Sequence, residues 1–472
     1  MPRLNRKIIV SFFSLSLILA SAVIAQGEER RILTLDEFIK EVAEKDTAFQ
    51  EILIDELKLK YERELTVPAR DFVLSVESQY DFLLRPSIDE SENTIGLSKL
   101  FPYYGSSVEA EYSSSFNPAT DRVTSGFEVK FSQSIAENAF GRNTRLLDKI
   151  AGVEVEVASH QIIEAYEDYL AALIQMYYDW YSSYEDLKTG QVSYEKNLEL
   201  LNNIKDRAKN KIALPIDVNK SSLQVENKRD SLVTLEDNYK EQANLVKTAI
   251  RYNGREELIP EEFPTYADIN IDFGKDFERF WRESRTSLIL KLLEDQSSLE
   301  VSRYADELLP SIDVFTGYSM SGDDHDIEDE EQLFFMGVTL DWPFPGEVEV
   351  ANYQVSKIDK DKSKWTTKNT YFSLYTDLKN LNIQIEREKK LISIADEKIR
   401  LSQEIVKDEL ENYSLGRVTL NDLIDEINKL ETNKFNKVSH EVQLKKLTIE
   451  WLRLTDALIK KKQDIRTVVK MP

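Results

Sequence analysis

The chain has 472 residues, enough for more than one ordinary domain. Its 61 basic and 85 acidic residues give a formal charge of −24, which argues against nucleic acid or an anionic membrane surface as a partner. It has no cysteine, so disulfides, thiolate metal sites and lipidated cysteines are excluded; glycine and proline are scarce, which points to long helices rather than disorder.

The first residues read as a targeting segment. Arg3, Arg6 and Lys7 form a basic start, "IIVSFFSLSLILASA" a short apolar run, and Val23 and Ala25 the small residues wanted before a cleavage site. Residues 1–25 are therefore expected to be a signal peptide, with the mature chain starting at Gln26. No other stretch approaches the ~20 apolar residues of a spanning helix.

Strict period-two alternation follows. In "FVLSVESQYDF", Phe72, Leu74, Val76, Tyr80 and Phe82 face away from Ser75, Glu77, Gln79 and Asp81. "TIGLSKLFPYYGSSVEAEYS" alternates weakly around a "PYYG" turn and reads as an extra hairpin of undecided placement. In "VTSGFEVKF", Val123, Ser125, Phe127, Val129 and Phe131 oppose Thr124, Gly126, Glu128 and Lys130. A helix from about Asn143 to Lys209 comes next, roughly 100 Å at 1.5 Å per residue. Its aromatic run, Met176 to Tyr184, is expected to be helix–helix core. The helix breaks at "KNKIALPIDVNKSS", after which Val218, Val225, Leu232, Tyr239 and Val246 recur every seventh residue.

The pattern then returns. "SIDVFTGYSM" sets Ile312, Val314, Tyr318 and Met320 against Asp313, Gly317 and Ser319, and "FMGVTLDW" sets Met336, Val338, Leu340 and Trp342 against Phe335, Gly337, Thr339 and Asp341. Gly337 repeats Gly126 at a separation of about 211 residues. The acidic run Asp323 to Gln332 between these strands lacks calcium-loop spacing and reads as a solvated loop. A second long helix breaks at "SLGRVTLNDLIDE", and Leu423, Leu430, Lys437, Leu444 and Trp451 form the second heptad. The chain thus reads as a tandem repeat: residues 26–253, a connecting segment 254–275, residues 276–462, and a tail 463–472.

Strands with one apolar face and one charged face match a membrane β-barrel with a wet lumen. Two strand pairs, four strands, cannot close a barrel alone. Three copies would give twelve, with the long helices continuing the tube. His160, His325 and His440 are dispersed, and no phosphate loop, nucleophile elbow or zinc motif occurs, so neither an enzyme nor a cofactor is expected. Asp422 and Asp425 lie three residues apart on the first turns of a restarted helix, where acids are also favoured simply as caps.

With these features in this order, the chain resembles the TolC family of outer-membrane channel proteins. The resemblance rests on "LPSIDVFTGYS", "MGVTLDWPFPGEVEVANYQVSK", "FSQSIAENAFGRNTR" and the two helix breaks. It implies a mostly α fold with a membrane β-barrel and a coiled-coil α-barrel tunnel, assembled as a homotrimer in the outer membrane. It implies an exit duct for a tripartite efflux pump or type I secretion system, fed by a periplasmic adaptor and an inner-membrane RND or ABC transporter. By the same resemblance Asp217, Tyr413, Arg417, Asp422 and Asp425 belong to a periplasmic gate. Asn210, Lys211, Ile212, Leu415, Gly416 and Arg417 fall at adaptor-docking tips. The family's gate arginine falls at Val418, and its first-half glycine at Lys211. The rival reading is a periplasmic coiled-coil adaptor or structural protein that conducts nothing.

Overall fold

A computed structural model describes residues 30–82, 89–117, 122–266, 269–323 and 331–459. The expected signal peptide, the C-terminal tail, His325 and most of the acidic run Asp323–Gln332 lie outside the described residues. The elements in chain order are β1 (Arg30–Leu33), α1 (Leu35–Lys45), α2 (Thr47–Thr66), β2 (Phe72–Phe82), β3 (Asp89–Phe101), β4 (Ser106–Asn117), β5 (Arg122–Ser134), α3 (Arg142–Lys209) and α4 (Pro215–Ala249). Then come β6 (Glu257–Pro260), α5 (Phe273–Glu283), α6 (Arg285–Asp306), β7 (Ser311–Asp323), β8 (Glu331–Asp341), α7 (Glu347–Ser414) and α8 (Leu420–Leu454). α3 and α7 are each 68 residues long, and α4 and α8 each 35. Among the described residues, no helix is long and apolar enough to cross a membrane.

The chain forms two compact units, each drawing on both halves of the sequence. One holds residues up to Gln50, Tyr166–Phe277 and the chain from Asp377. Its core is the aromatic run of α3: Tyr177, Tyr178 and Trp180 are fully buried against Phe38, Val246, Ile250 and Ile449. The run is helix–helix core, as its sequence predicts, but it also holds a parallel two-stranded sheet, β1 with β6. Buried phenols need partners. Tyr177 Oη donates to the Leu33 carbonyl at 2.6 Å and accepts from the Glu261 N–H at 3.1 Å, while Tyr239 Oη donates to the Leu258 carbonyl at 3.0 Å. Burial, more than the nearby Glu257 carboxylate, pushes the Tyr239 phenol up to about 12. Lys437, the one charged heptad position of α8, pairs with Asp396 of α7 at 2.8 Å.

The other unit holds Glu51–Ala165 and Glu278–Thr376, including a single antiparallel sheet in the order β2-β3-β4-β5-β7-β8. This corrects the count of four strands: the "PYYG" hairpin supplies β3 and β4, and they lie inside the sheet. The segments Phe72–Phe82 and Val123–Phe131 are therefore not neighbours; β3 and β4 separate them. A twelve-stranded closure by three copies does not follow from a six-stranded sheet.

Register shows which side chains share a face. Leu74, Leu97, Ala110, Val129, Tyr318 and Phe334 stand opposite one another in turn, one from each strand. The next row along the strands is Ser75, Gly96, Glu111, Glu128, Ser319 and Leu333, polar or small except at the last strand. Period-two pleating puts these rows on opposite faces. The apolar row is open: Leu74 is 68% exposed and Phe334 65%.

Candidate functional site: the helical hairpin turns

Two turns end the long helices. α3 stops at Lys209 and α4 starts at Pro215, a favoured first helical residue because its missing N–H would have no partner there. Between them Lys211 takes φ 59°, in the left-handed region where the resemblance expects glycine. α7 stops at Ser414 and α8 starts at Leu420, with Gly416 at φ 71° between them. Both turns close on backbone bonds: Ile212 N–H to the Arg207 carbonyl at 2.8 Å, and Arg417 N–H to the Asn412 carbonyl at 2.9 Å.

Beneath the turns the two hairpins share an apolar cluster. Leu200 and Ile204 of α3 pack with Tyr413 of α7 and Leu420, Leu423 and Ile424 of α8. Val218 and Val418 pack at its margin. The position where the resemblance expects an arginine is thus an apolar contact. Arg417 is exposed, and its side chain has no ion pair among the described residues.

Arg207, a residue the sequence reading did not single out, meets Tyr413 instead. Its guanidinium lies 5.0 Å from the Tyr413 ring centroid, and its Nη2 donates to the Ser414 carbonyl at 3.2 Å. It therefore ties the end of the first hairpin to the end of α7. Burial raises the Tyr413 pKa, the Asp217 carboxylate adds to this, and the Arg207 charge opposes it. Asp217, Tyr413 and Arg207 are thus neighbours. Nothing local marks Arg207, since a basic residue in the last turn of a helix is ordinary.

The acids differ in what they do. Asp422 closes a reciprocal cap with Thr419: its N–H donates to Thr419 Oγ1 at 3.3 Å, and its Oδ2 accepts from Thr419 N–H at 3.0 Å and Oγ1 at 2.7 Å. The Thr419 hydroxyl bond, helped by the backbone bond, holds the Asp422 carboxyl below its usual range. Capping therefore accounts for Asp422. Asp425, one turn on, is exposed and takes no part in the cap. Asp217 accepts from Leu214 N–H at 3.3 Å, a one-sided version of the same cap.

The expected docking residues Asn210, Lys211, Ile212, Leu415, Gly416 and Arg417 are all exposed. Ile212 is 65% and Leu415 57% exposed, and Leu214 (64%) and Ile216 (52%) extend the apolar points beyond those the sequence reading named. Further along the hairpins, Gln224 bonds Asn428 at 2.9 Å in a half-buried position, and Lys228 pairs with Glu431, largely buried.

This is the fold of outer-membrane channel proteins. It is similar to the Campylobacter jejuni CmeC outer membrane channel, with a TM-score of 0.69 and 11% identity over 92% of this chain and 88% of that one. It is similar to CusC, whose structures concern transmembrane channel formation, with a TM-score of 0.71 and 11% identity over 93% and 96% of the two chains. It is also similar to the open state of the Neisseria gonorrhoeae MtrE outer membrane channel, with a TM-score of 0.65 and 13% identity over 90% and 89%. No family model and no curated relative matches the sequence.

Proposed function

We propose that the protein is an outer-membrane exit duct, a passive conduit from periplasm to exterior, and not an enzyme. One observation carries this most: an apolar row crosses all six strands of an antiparallel sheet and is exposed, while the adjoining row is polar. Such a face needs lipid, and such a reverse needs water. The sheet also leaves two open edges, β2 and β8, and an open edge in lipid leaves backbone groups unsatisfied. Further copies must close it, and three is the number the family resemblance supplies.

In this reading the mature chain is a homotrimer. The helical hairpins form the periplasmic tunnel, and the turns at Asn210–Leu214 and Leu415–Thr419 form its mouth. Asp217, Tyr413, Arg207, Asp422 and Asp425 belong to the gate, and three copies bring the carboxylates of Asp422 and Asp425 around one axis. The exposed Ile212, Leu214, Ile216 and Leu415 suit docking by a periplasmic adaptor, itself coupled to an RND or ABC transporter of the inner membrane. An adaptor or structural coiled coil fits less well, because neither needs a sheet with an open apolar face.

Fractionation with mass measurement in detergent tests this reading. Outer-membrane residence and a detergent-resistant trimer are expected. A monodisperse monomer, soluble without detergent, would overturn it.

A further inference from the structure

The hairpin β3–β4 lies in the interior of the sheet. β2 pairs with β3 and β4 with β5, so every path of backbone bonds from β2 to the rest of the sheet runs through the hairpin. A flap on an edge could fold away and leave the other strands paired. This hairpin cannot leave without opening the sheet.

Its faces match those of its neighbours. Ile95 and Leu97 of β3 and Phe116 of β4 are 48%, 43% and 37% exposed, on the face that carries Val76 and Val129. Glu109 and Glu111 lie on the other face, with Lys130 and Glu128 respectively as their β5 partners. β3 has 13 residues and β4 12, and about 9–11 tilted residues span the hydrocarbon. Lys99 lies at the helix-side end of the apolar face, its Nζ 4.2 Å from the Phe72 ring centroid and 5.5 Å from that of Phe101. An ammonium against aromatic rings is what a membrane boundary favours.

The hairpin turn is also built into the start of α3. Gly105 and Gly141 both have positive φ, 61° and 75°, and a Cβ on Gly141 would fall 2.3 Å from the Tyr103 backbone carbon. Arg145 Nη1 donates to the Tyr103 carbonyl at 2.6 Å, and Gln133 Nε2 to the Tyr104 carbonyl at 2.8 Å. The Arg70 guanidinium lies 4.3 Å from the Tyr103 ring centroid. Residues from before β2 and after β5 thus grip the same turn.

From this geometry we propose that the hairpin is a pair of membrane-spanning staves, so that three copies of the six-stranded sheet close a barrel of eighteen strands. The inference rests on the trimeric duct proposed above. The edges permit the closure: strands alternate in direction across the six, so β8 of one copy and β2 of the next run antiparallel and can continue the ladder. At a strand spacing of ~4.8 Å and a tilt of ~40°, eighteen strands give a barrel about 36 Å across its backbone, against about 24 Å for twelve. The backbone of the outer mouth would then be half as wide again.

The absence of cysteine gives a clean cross-linking test. Val76, Ile95, Tyr112 and Phe127 stand in one row across β2, β3, β4 and β5. In outer-membrane trimers, a short bifunctional thiol reagent should link Val76→Cys with Ile95→Cys, and Tyr112→Cys with Phe127→Cys. It should not link Val76→Cys with Phe127→Cys. A barrel that extrudes the hairpin reverses this, because β2 then pairs with β5, and that result overturns the proposal. Should a substitution block assembly, strands counted in axial images of the unsubstituted detergent trimer decide instead: eighteen supports the proposal and twelve overturns it. A trimer with twelve strands rejects the staves and leaves the duct intact, whereas failure to form an outer-membrane trimer rejects both.

Discussion

The two hairpin turns follow the same course with different chemistry. The second holds itself: Gly416 takes its positive φ without a Cβ clash, and Thr419 and Asp422 cap each other. The first does not. Lys211 takes φ 59° at a cost of about 1 kcal/mol for an L residue, and Leu214 offers no side-chain acceptor to the helix start. Yet α3 and α7 stop, and α4 and α8 start, at an equal offset of 205 residues. The flanking helices and the cluster under Tyr413 therefore set the first turn from outside. A turn held from outside is the one that loosens when its supports are removed.

The comparison can be broken most strongly at the acids. Asp422→Asn with Asp425→Asn keeps volume and removes the charge from the second turn. Cation selectivity and block by a trivalent cation on the periplasmic side should fall by about tenfold or more, since coordination by several carboxylates is lost. Unchanged block in single-channel recordings would leave Asp422 as a cap alone. Asp217→Asn on the first turn should change block far less.

Arg207→Ala removes the tie between the hairpins. It leaves the Ser414 carbonyl without its guanidinium donor and Tyr413 without its cation, a loss of about 1.5–3 kcal/mol. Thermal unfolding should show it, and hydrogen exchange should rise at Asn210–Leu214 more than at the self-capped Leu415–Thr419. Thr419→Ala deletes one side of the second cap and should cost about 1 kcal/mol. Leu214→Thr, which offers the first helix the missing acceptor, should shift stability the other way. Lys211→Gly relieves the strained residue of the first turn and should stabilise it by about 0.5–1 kcal/mol, less the added freedom of the unfolded chain. If Lys211→Gly instead lowered stability, the turn would not be under strain.

The smallest effect concerns pH. The Asp422 carboxyl is held below its ordinary value by Thr419, so the stability it contributes is present above about pH 4 and is lost as pH falls through the lowered value. Exchange protection at the start of α8 should decline over that acid range in wild type but not in Asp422→Asn.

Much of this was readable because its signal is long. Period-two alternation over Phe72–Phe82, Val123–Phe131 and Ser311–Met320 fixes strands and faces together, and an uninterrupted charged stretch between breaks fixes α3 and α7. The hairpin is undecided in sequence because β3 carries few apolar residues on its apolar face, chiefly Ile95 and Leu97, among polar ones that suit a loop equally well. Its partners β2 and β5 are its immediate neighbours in sequence, so the weak alternation, not distance, hid its place inside the sheet. The β1–β6 pair escaped because four-residue strands are too short to alternate visibly. At the tips the breaks and Tyr413 were legible, but Arg207 was not: its partners lie 206 and 207 residues away on another hairpin. Asp422 was legible as an acid at a helix start, which is the part the cap explains.

A planar bilayer tests the duct most directly. Detergent-purified trimers of the mature chain should insert and give discrete, cation-preferring conductance steps. Arg207→Ala should raise the step size by loosening the tie between the tips. Trimers that insert yet carry no current, in wild type and in Arg207→Ala alike, would contradict a conduit gated at these turns.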